Sequence, residues 1–156
     1  MAKFRYRMQS ILELKEKLEG QAKMEFAAAQ MQLRIEQDKL NNLIEKRKMY
    51  QEICCTLQQK EVLNIPDILS YRDYIDICDI LINEQKKVVD KAYKVVENAR
   101  KKLALVMQER KMQEKLKEKA FEQFLLEERD AENKETDQRS SFAYGQRIKN
   151  GQSRRS

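Results

Sequence analysis

The sequence predicts an all-α protein, one long antiparallel two-helix coiled coil (an α-hairpin), on three observations. Only three glycines and one proline punctuate 156 residues, which leaves room for about one sharp turn. Charged residues make up 37% of the chain, yet Leu, Ile, Val and Met remain plentiful, so the composition is that of long helices rather than of a disordered polyampholyte. Apolar residues also recur at alternating steps of three and four, the period at which helices supercoil left-handedly.

The first helix is predicted over about 4–60, on a seam whose step averages about 3.5. It runs from Phe4, Met8 and Ile11 through Leu18, Ala22, Phe26, Ala29 and Leu33 to Leu40, Leu43, Tyr50, Cys54 and Leu57. Lys15, Glu36 and Arg47 are its polar interruptions. Two consecutive steps of four, at Leu18, Ala22 and Phe26, predict a stutter where the coil locally unwinds. The break falls in Lys60 to Ser70, with the connection at about 61–67, because Pro66 suits the first turn of a new helix and not the interior of one.

The second helix is predicted over about 68–138. Its seam is cleaner: Ile68, Tyr71, Ile75, Cys78, Ile82, Gln85, Val89, Ala92, Val96, Ala99, Leu103 and Val106. Arg110, Gln113 and Lys117 then spoil the frame before Ala120 and Phe124 resume it. Residues 139–156 read as a flexible basic tail. Arg139, Arg147, Lys149, Arg154 and Arg155 give it +5 with no acidic residue, so a net charge of +6 leaves 1–138 near neutral.

Two long helices with one short connection fold back on each other. A reversal near residue 65 makes facing residues sum to roughly 130 in sequence number. That register sets Cys54 near Cys78, Phe4 near Phe124, and Arg47 beside Glu84 and Gln85. It sets Lys15 and Gln21 beside Arg110, Gln113 and Lys117, a basic stretch poor for stability and open to partners. Each arm is then about 80–100 Å long. A parallel homodimer is the rival architecture.

Catalytic chemistry finds no foothold. The chain has no histidine, the commonest general base and metal ligand. Gly20, Gly145 and Gly151 are isolated, so no phosphate-cradling loop exists. Cys54, Cys55 and Cys78 are one ligand short of a structural zinc site, and the first and last fall on seams where a thiol packs as a small hydrophobe. The expectation is no enzyme, no cofactor, no metal and no small-molecule ligand. Interleaved acidic and basic residues argue against nucleic acid, since a basic zipper carries a continuous basic helix. The aromatic–basic segment at Phe4 to Arg7, or the tail, gives only marginal membrane anchoring. An odd cysteine count with no secretory leader and no apolar run of about 18 residues points to the cytoplasm.

The opening MAKFRYRMQSILELKEKLEGQAKMEFAAAQ resembles the flagellar type III export protein family FliJ. Phe4, Arg5, Tyr6, Met8, Ile11 and Leu12 carry the likeness, with YRDYIDICDILINEQ, ERKMQEKLKEKAFEQF and EERDAENKETDQ agreeing further on. The resemblance covers about residues 2–138, and the chain departs from it at Asn133 and Thr136. It implies a fold similar to the γ-subunit stalk of rotary ATPases and a monomer in the cytoplasm, peripheral to the membrane when docked on the export apparatus. The implied partners are the hexameric export ATPase FliI, the export gate protein FlhA and export chaperones. The implied ATPase-binding residues are Phe4, Arg5, Arg7, Arg110 and Lys111, and the implied gate-binding residues are Tyr74, Cys78, Leu81 and Gln85. The alternative is a generic cytoplasmic coiled-coil scaffold or a nucleic-acid-associated rod.

Overall fold

Helix α1 spans Gln9–Gln58 and helix α2 spans Ile65–Arg155 in the computed structural model, which describes residues 2–155, with side chains through residue 151. Among the described residues there is no strand. The predicted all-α class is observed: the two helices pack against each other, antiparallel.

Helix α1 starts later than the seam suggested. Residues 2–6 lie outside any regular element, a turn follows at Arg7 and Met8, and the Gln9 amide donates to the Tyr6 carbonyl at 3.2 Å. The reason is written in the sequence. From Phe4 to Met8 half-buried and exposed residues alternate, with Phe4, Tyr6 and Met8 turned in and Arg5 and Arg7 turned out. That is the period of an extended strand and not of a helix.

The connection is short, and the cap of α2 explains where it ends. The Asn64 side-chain carbonyl accepts the Asp67 amide at 3.4 Å while its Nδ2 donates to the Asp67 carboxylate at 2.8 Å. The Ile68 amide makes the first helical turn to the Asn64 carbonyl at 3.1 Å. Asn64 is thus a reciprocal N-cap. Pro66 sits in the first turn, where its missing N–H goes unused, and Asp67 is well placed against the positive end of the helix dipole.

The chain divides into two units, Lys17–Gln108 and Met1–Glu16 with Glu109–Ser156. In the first, Ala22, Cys54, Ile68, Cys78, Ile82 and Val96 are the buried apolar residues, and Glu19 and Glu36 are buried with them. Every seam residue named for the second helix from Ile68 to Val106 is turned at least partly away from solvent. The predicted stutter is absent. The buried positions run Leu12, Glu19, Ala22, so with half-buried Lys15, Phe26 and Ala29 the steps are threes and fours without interruption. Leu18 was the more hydrophobic choice, but it lies on the flank. Glu19, with Lys23 at 3.4 Å, holds the seam. Ile11 is likewise displaced by Leu12, 38% against 3% exposed.

The register also differs from expectation. Arg47 meets Asp79, not Glu84 or Gln85, while Glu36 meets Gln85 and Glu25 meets Lys102. Facing residues therefore sum to about 124, because the reversal is centred on the 59–64 connection and not on Pro66.

In the second unit the non-helical segment and the first turns of α1 lie along α2. Phe4 packs its ring against Phe121 and Phe124, with centroids 5.1 and 5.4 Å apart. The Tyr6 hydroxyl donates to Gln113 Oε1 at 2.9 Å, and Lys15 donates to Glu109 Oε2 at 2.8 Å. The expected basic clash around Lys15 is thus a paired contact.

Where the sequence reading ends α2 near residue 138 and leaves flexible chain, the helix continues to Arg155. No proline follows Pro66. Thr136 and Arg139 bond back one turn to Glu132 and Glu135, at 2.9 and 2.8 Å. Gly145 and Gly151, with open space around them, weaken a helix by about 1 kcal/mol each relative to alanine without breaking it. The side chains of Arg154 and Arg155, and Ser156, lie outside the described residues.

Candidate docking surfaces

Two groups of residues carry the functional expectations, one in each unit. In the terminal unit, three aromatic rings fix the geometry. Phe121 and Phe124, one turn apart on α2, form a platform on which Phe4 sits nearly edge-on to Phe121 at 69°, a favoured arrangement for the ring quadrupoles. Clamped there, Phe4 is half-buried and places Arg5 and Arg7 in solvent, above a hollow of about 470 Å³ that Ala120, Gln123 and Glu127 also line.

Arg110 and Lys111 are not part of that cluster. They lie roughly 15 Å back along α2 at the helical rise per residue. Arg110 is drawn along its own helix to Glu114 at 2.6 Å, its side chain 19% exposed, while Lys111 is exposed. The structure therefore brings Phe4, Arg5 and Arg7 together and sets Arg110 and Lys111 apart from them. A second hollow of about 420 Å³, lined by Phe4, Leu12, Glu16, Glu114, Lys117, Glu118 and Phe121, mixes acidic groups into the expected basic face.

The stripe Tyr74, Cys78, Leu81 and Gln85 divides by orientation. Tyr74 and Leu81 are 46% and 42% exposed, whereas Cys78 is 3% exposed. Gln85 is half-buried, and its Nε2 donates to the Glu36 carbonyl at 3.0 Å and to Glu36 Oε2 at 2.5 Å. That donor is the main reason the Glu36 carboxyl is held below its ordinary value. Burial opposes the shift, and Lys39 and Gln32 reinforce it. So two members of the stripe face outward and two hold the helices together.

Sequence reasoning missed the setting of Tyr74. Tyr50, Tyr71 and Tyr74 form a three-ring cluster with centroids 5.4 to 6.0 Å apart, and Lys46 lies over the Tyr50 ring at 5.9 Å. Beside it a notch of about 130 Å³ is lined by Leu43, Lys46, Tyr50, Tyr74, Ile77, Cys78 and Leu81. The available signal was Tyr71 and Tyr74 at i,i+3 opposite a tyrosine on the other helix.

Among the described residues no group of His, Cys, Asp and Glu is arranged to hold a metal ion, and no helix is long and apolar enough to cross a membrane. Cys54, Cys55 and Cys78 are free thiols.

The model of the flagellar FliJ protein family matches residues 4–149. The chain belongs to the FliJ family. Membership makes it a component of the flagellar type III export system. No curated protein matches the sequence. Among solved structures the FliJ-family fold seen here is similar to CT670 from Chlamydia trachomatis, described as a YscO homolog. The TM-score is 0.63 at 22% identity, over 91% of this chain and 96% of that one. At that identity the likeness is one of fold.

Proposed function

We propose that this FliJ-family chain is a non-enzymatic, monomeric adaptor of the export apparatus. It binds the hexameric export ATPase as a central stalk, promotes its assembly and activity, couples it to the export gate, and assists export chaperones. The match to the FliJ family over residues 4–149 carries the reading. The chain then acts in the cytoplasm and at the membrane face when docked.

The geometry supports a particular division of labour. Phe4 anchors a short non-helical segment on the Phe121–Phe124 platform, so Arg5 and Arg7 reach solvent on a fixed backbone and not on a loose end. Such cations make charge-assisted contacts to acidic loops of a ring. Arg110, held to Glu114, and the exposed Lys111 lie about 15 Å back along α2 and meet the ring at a separate point. On the other unit, Tyr74 and Leu81 offer apolar contact to the gate protein, while Cys78 and Gln85 act by keeping α2 in register. A ligand moves a ring's equilibrium only by binding its states unequally.

The test is steady-state ATPase turnover of the purified export ATPase with and without the chain. Added chain should raise turnover or hexamer formation, and Arg5→Ala with Arg7→Ala should remove most of the effect while leaving helicity intact. No change in turnover or assembly on adding the wild-type chain would refute the reading.

A further inference from the structure

The last stretch of α2 has a pattern that a flexible tail lacks. After Asp137 no acidic residue occurs, while Arg139, Arg147, Lys149, Arg154 and Arg155 contribute five positive charges. As helix, this stretch sorts its side chains by face. At about 100° per residue, Phe142, Tyr144, Gly145 and Ile148 fall within one arc, and Arg139 and Arg147 fall opposite it with Ala143 and Asn150. Ser141 and Lys149 also fall inside that arc, Lys149 about 20° from Phe142, where a long aliphatic stem lies along an apolar surface with its ammonium in water.

Phe142 and Tyr144 are each 68% exposed and Ile148 is 44% exposed, so the three large apolar side chains of the arc are uncovered. By contrast Phe124, on the stretch of α2 that meets Phe4, is half-buried. Two aromatic rings and an isoleucine on one side, and cations on the other with no carboxylate to neutralise them, match one environment closely. That environment is the boundary between anionic headgroups and acyl chains.

We propose that residues 139–151 of α2 form an amphipathic contact for an anionic lipid surface. The helix lies in the plane of the interface, with Phe142, Tyr144 and Ile148 inserted below the headgroups and Arg139, Arg147 and Lys149 among the phosphates. Nucleic acid and an acidic protein surface share the charge but not the need for a separate apolar arc, so the lipid surface is the occupant. The inference is independent of ATPase or gate binding, because none of the residues assigned to those contacts lies in this stretch.

The chain has no tryptophan, which makes Phe142→Trp a single, local fluorescence probe in the full-length protein. Its emission should shift to the blue on adding vesicles of phosphatidylcholine with phosphatidylglycerol, stay unchanged with phosphatidylcholine alone, and return in high salt. In co-sedimentation with the mixed vesicles, Arg139→Gln with Arg147→Gln should weaken binding at least tenfold. Tyr144→Ser with Ile148→Ser should weaken it several-fold. All four positions are exposed, and unchanged circular dichroism checks that the helix survives. The proposal is overturned if anionic vesicles do not bind. It is equally overturned if the apolar substitutions leave binding intact, or if polyglutamate or duplex DNA competes without regard to Tyr144 and Ile148; those results assign the stretch to an acidic polymer.

Discussion

The two units of this molecule order their chains by different means. In Lys17–Gln108 order comes from a seam: small and medium side chains such as Ala22, Cys78, Ile82 and Val96 close at steps of three and four, with Glu36 and Gln85 as one satisfied polar pair. In the terminal unit it comes from a clamp, in which a non-helical segment is fixed by one ring on two and by the Tyr6–Gln113 hydrogen bond. A seam spreads its stability over many positions, whereas a clamp concentrates it in one. The clamp should therefore loosen locally, whereas the seam that carries Tyr74 and Leu81 should hold cooperatively.

Cutting into each at its centre should show the contrast at its largest. Ile82 is 8% exposed on the seam, and Ile82→Ala should cost about 3 kcal/mol through lost transfer energy and the cavity left behind. Urea denaturation would show it as a lowered midpoint for the whole α1–α2 pairing. Phe4→Ala should cost about 2 kcal/mol, less because Phe4 is half-buried. Its effect should stay local: amide exchange should speed up at residues 4–8 and 117–125 and hardly change near Ile82. Equal loss of protection in both places would mean that the clamp and the seam are one cooperative structure.

The polar pair in the seam sharpens the comparison further. Gln85→Leu removes the main donor to the Glu36 carboxylate and should lower the midpoint of urea denaturation. Glu36→Leu with Gln85→Leu should recover most of that loss, since apolar replacement of both partners of a buried pair is often close to neutral. What the double variant should lose is uniqueness of register, because a buried polar pair penalises every slipped alignment. Spin labels on exposed Cys55 and on Lys91→Cys should give one distance in the parent and more than one in the double variant. The pH dependence has a definite sign. The Glu36 carboxyl is held below its ordinary value in the folded chain, mainly by the Gln85 hydrogen bond. Its contribution is therefore fully present above the unfolded value and disappears as pH falls through the lowered folded one. Glu36→Gln should flatten the acid limb of the stability profile, and an unchanged limb would show that other carboxylates set it.

Much of this architecture was legible in the sequence. The second helix could be followed from Ile68 to Val106 because apolar side chains at steps of three and four leave few other solutions. Besides the tail, which is helical to Arg155, three things were misread, each for a physical reason. The 4–8 segment satisfies a step of four from Phe4 to Met8, but its burial alternates with period two, and Phe4 packs on Phe121 and Phe124 ahead of a turn at Arg7 and Met8 rather than within a helix. Glu19 was passed over for Leu18 because hydrophobicity ranks them that way, while burial of a carboxylate is permitted once Lys23 stands one turn away. Register was counted from a reversal near residue 65, although the N-cap at Asn64 already marks the start of α2. Tyr74, Cys78, Leu81 and Gln85 were named together from the family resemblance, but which of them face outward depends on that register. Cys78 and Gln85 are turned into the seam, while Tyr74 and Leu81 are exposed.

The smallest expected effects come from the ion pairs that link the helices within each unit, and they test whether charge or packing sets the alignment. Lys102 meets Glu25 at 2.9 Å with both side chains more than half exposed, 60% and 56%. Lys15 meets Glu109 at 2.8 Å with the lysine 26% exposed. A solvated pair contributes about 0.2–1 kcal/mol and is screened by salt. A double-mutant cycle on Lys102 and Glu25 should therefore give a coupling near the lower end of that range, erased in high salt. The cycle on Lys15 and Glu109 should give a larger coupling that survives salt better, because the lysine stem is packed and its ammonium is screened less. If the two couplings were equal and equally screened, the Lys15 contact would be an incidental surface pair, and the alignment of the terminal unit would rest on the Phe4 clamp and the Tyr6–Gln113 bond alone.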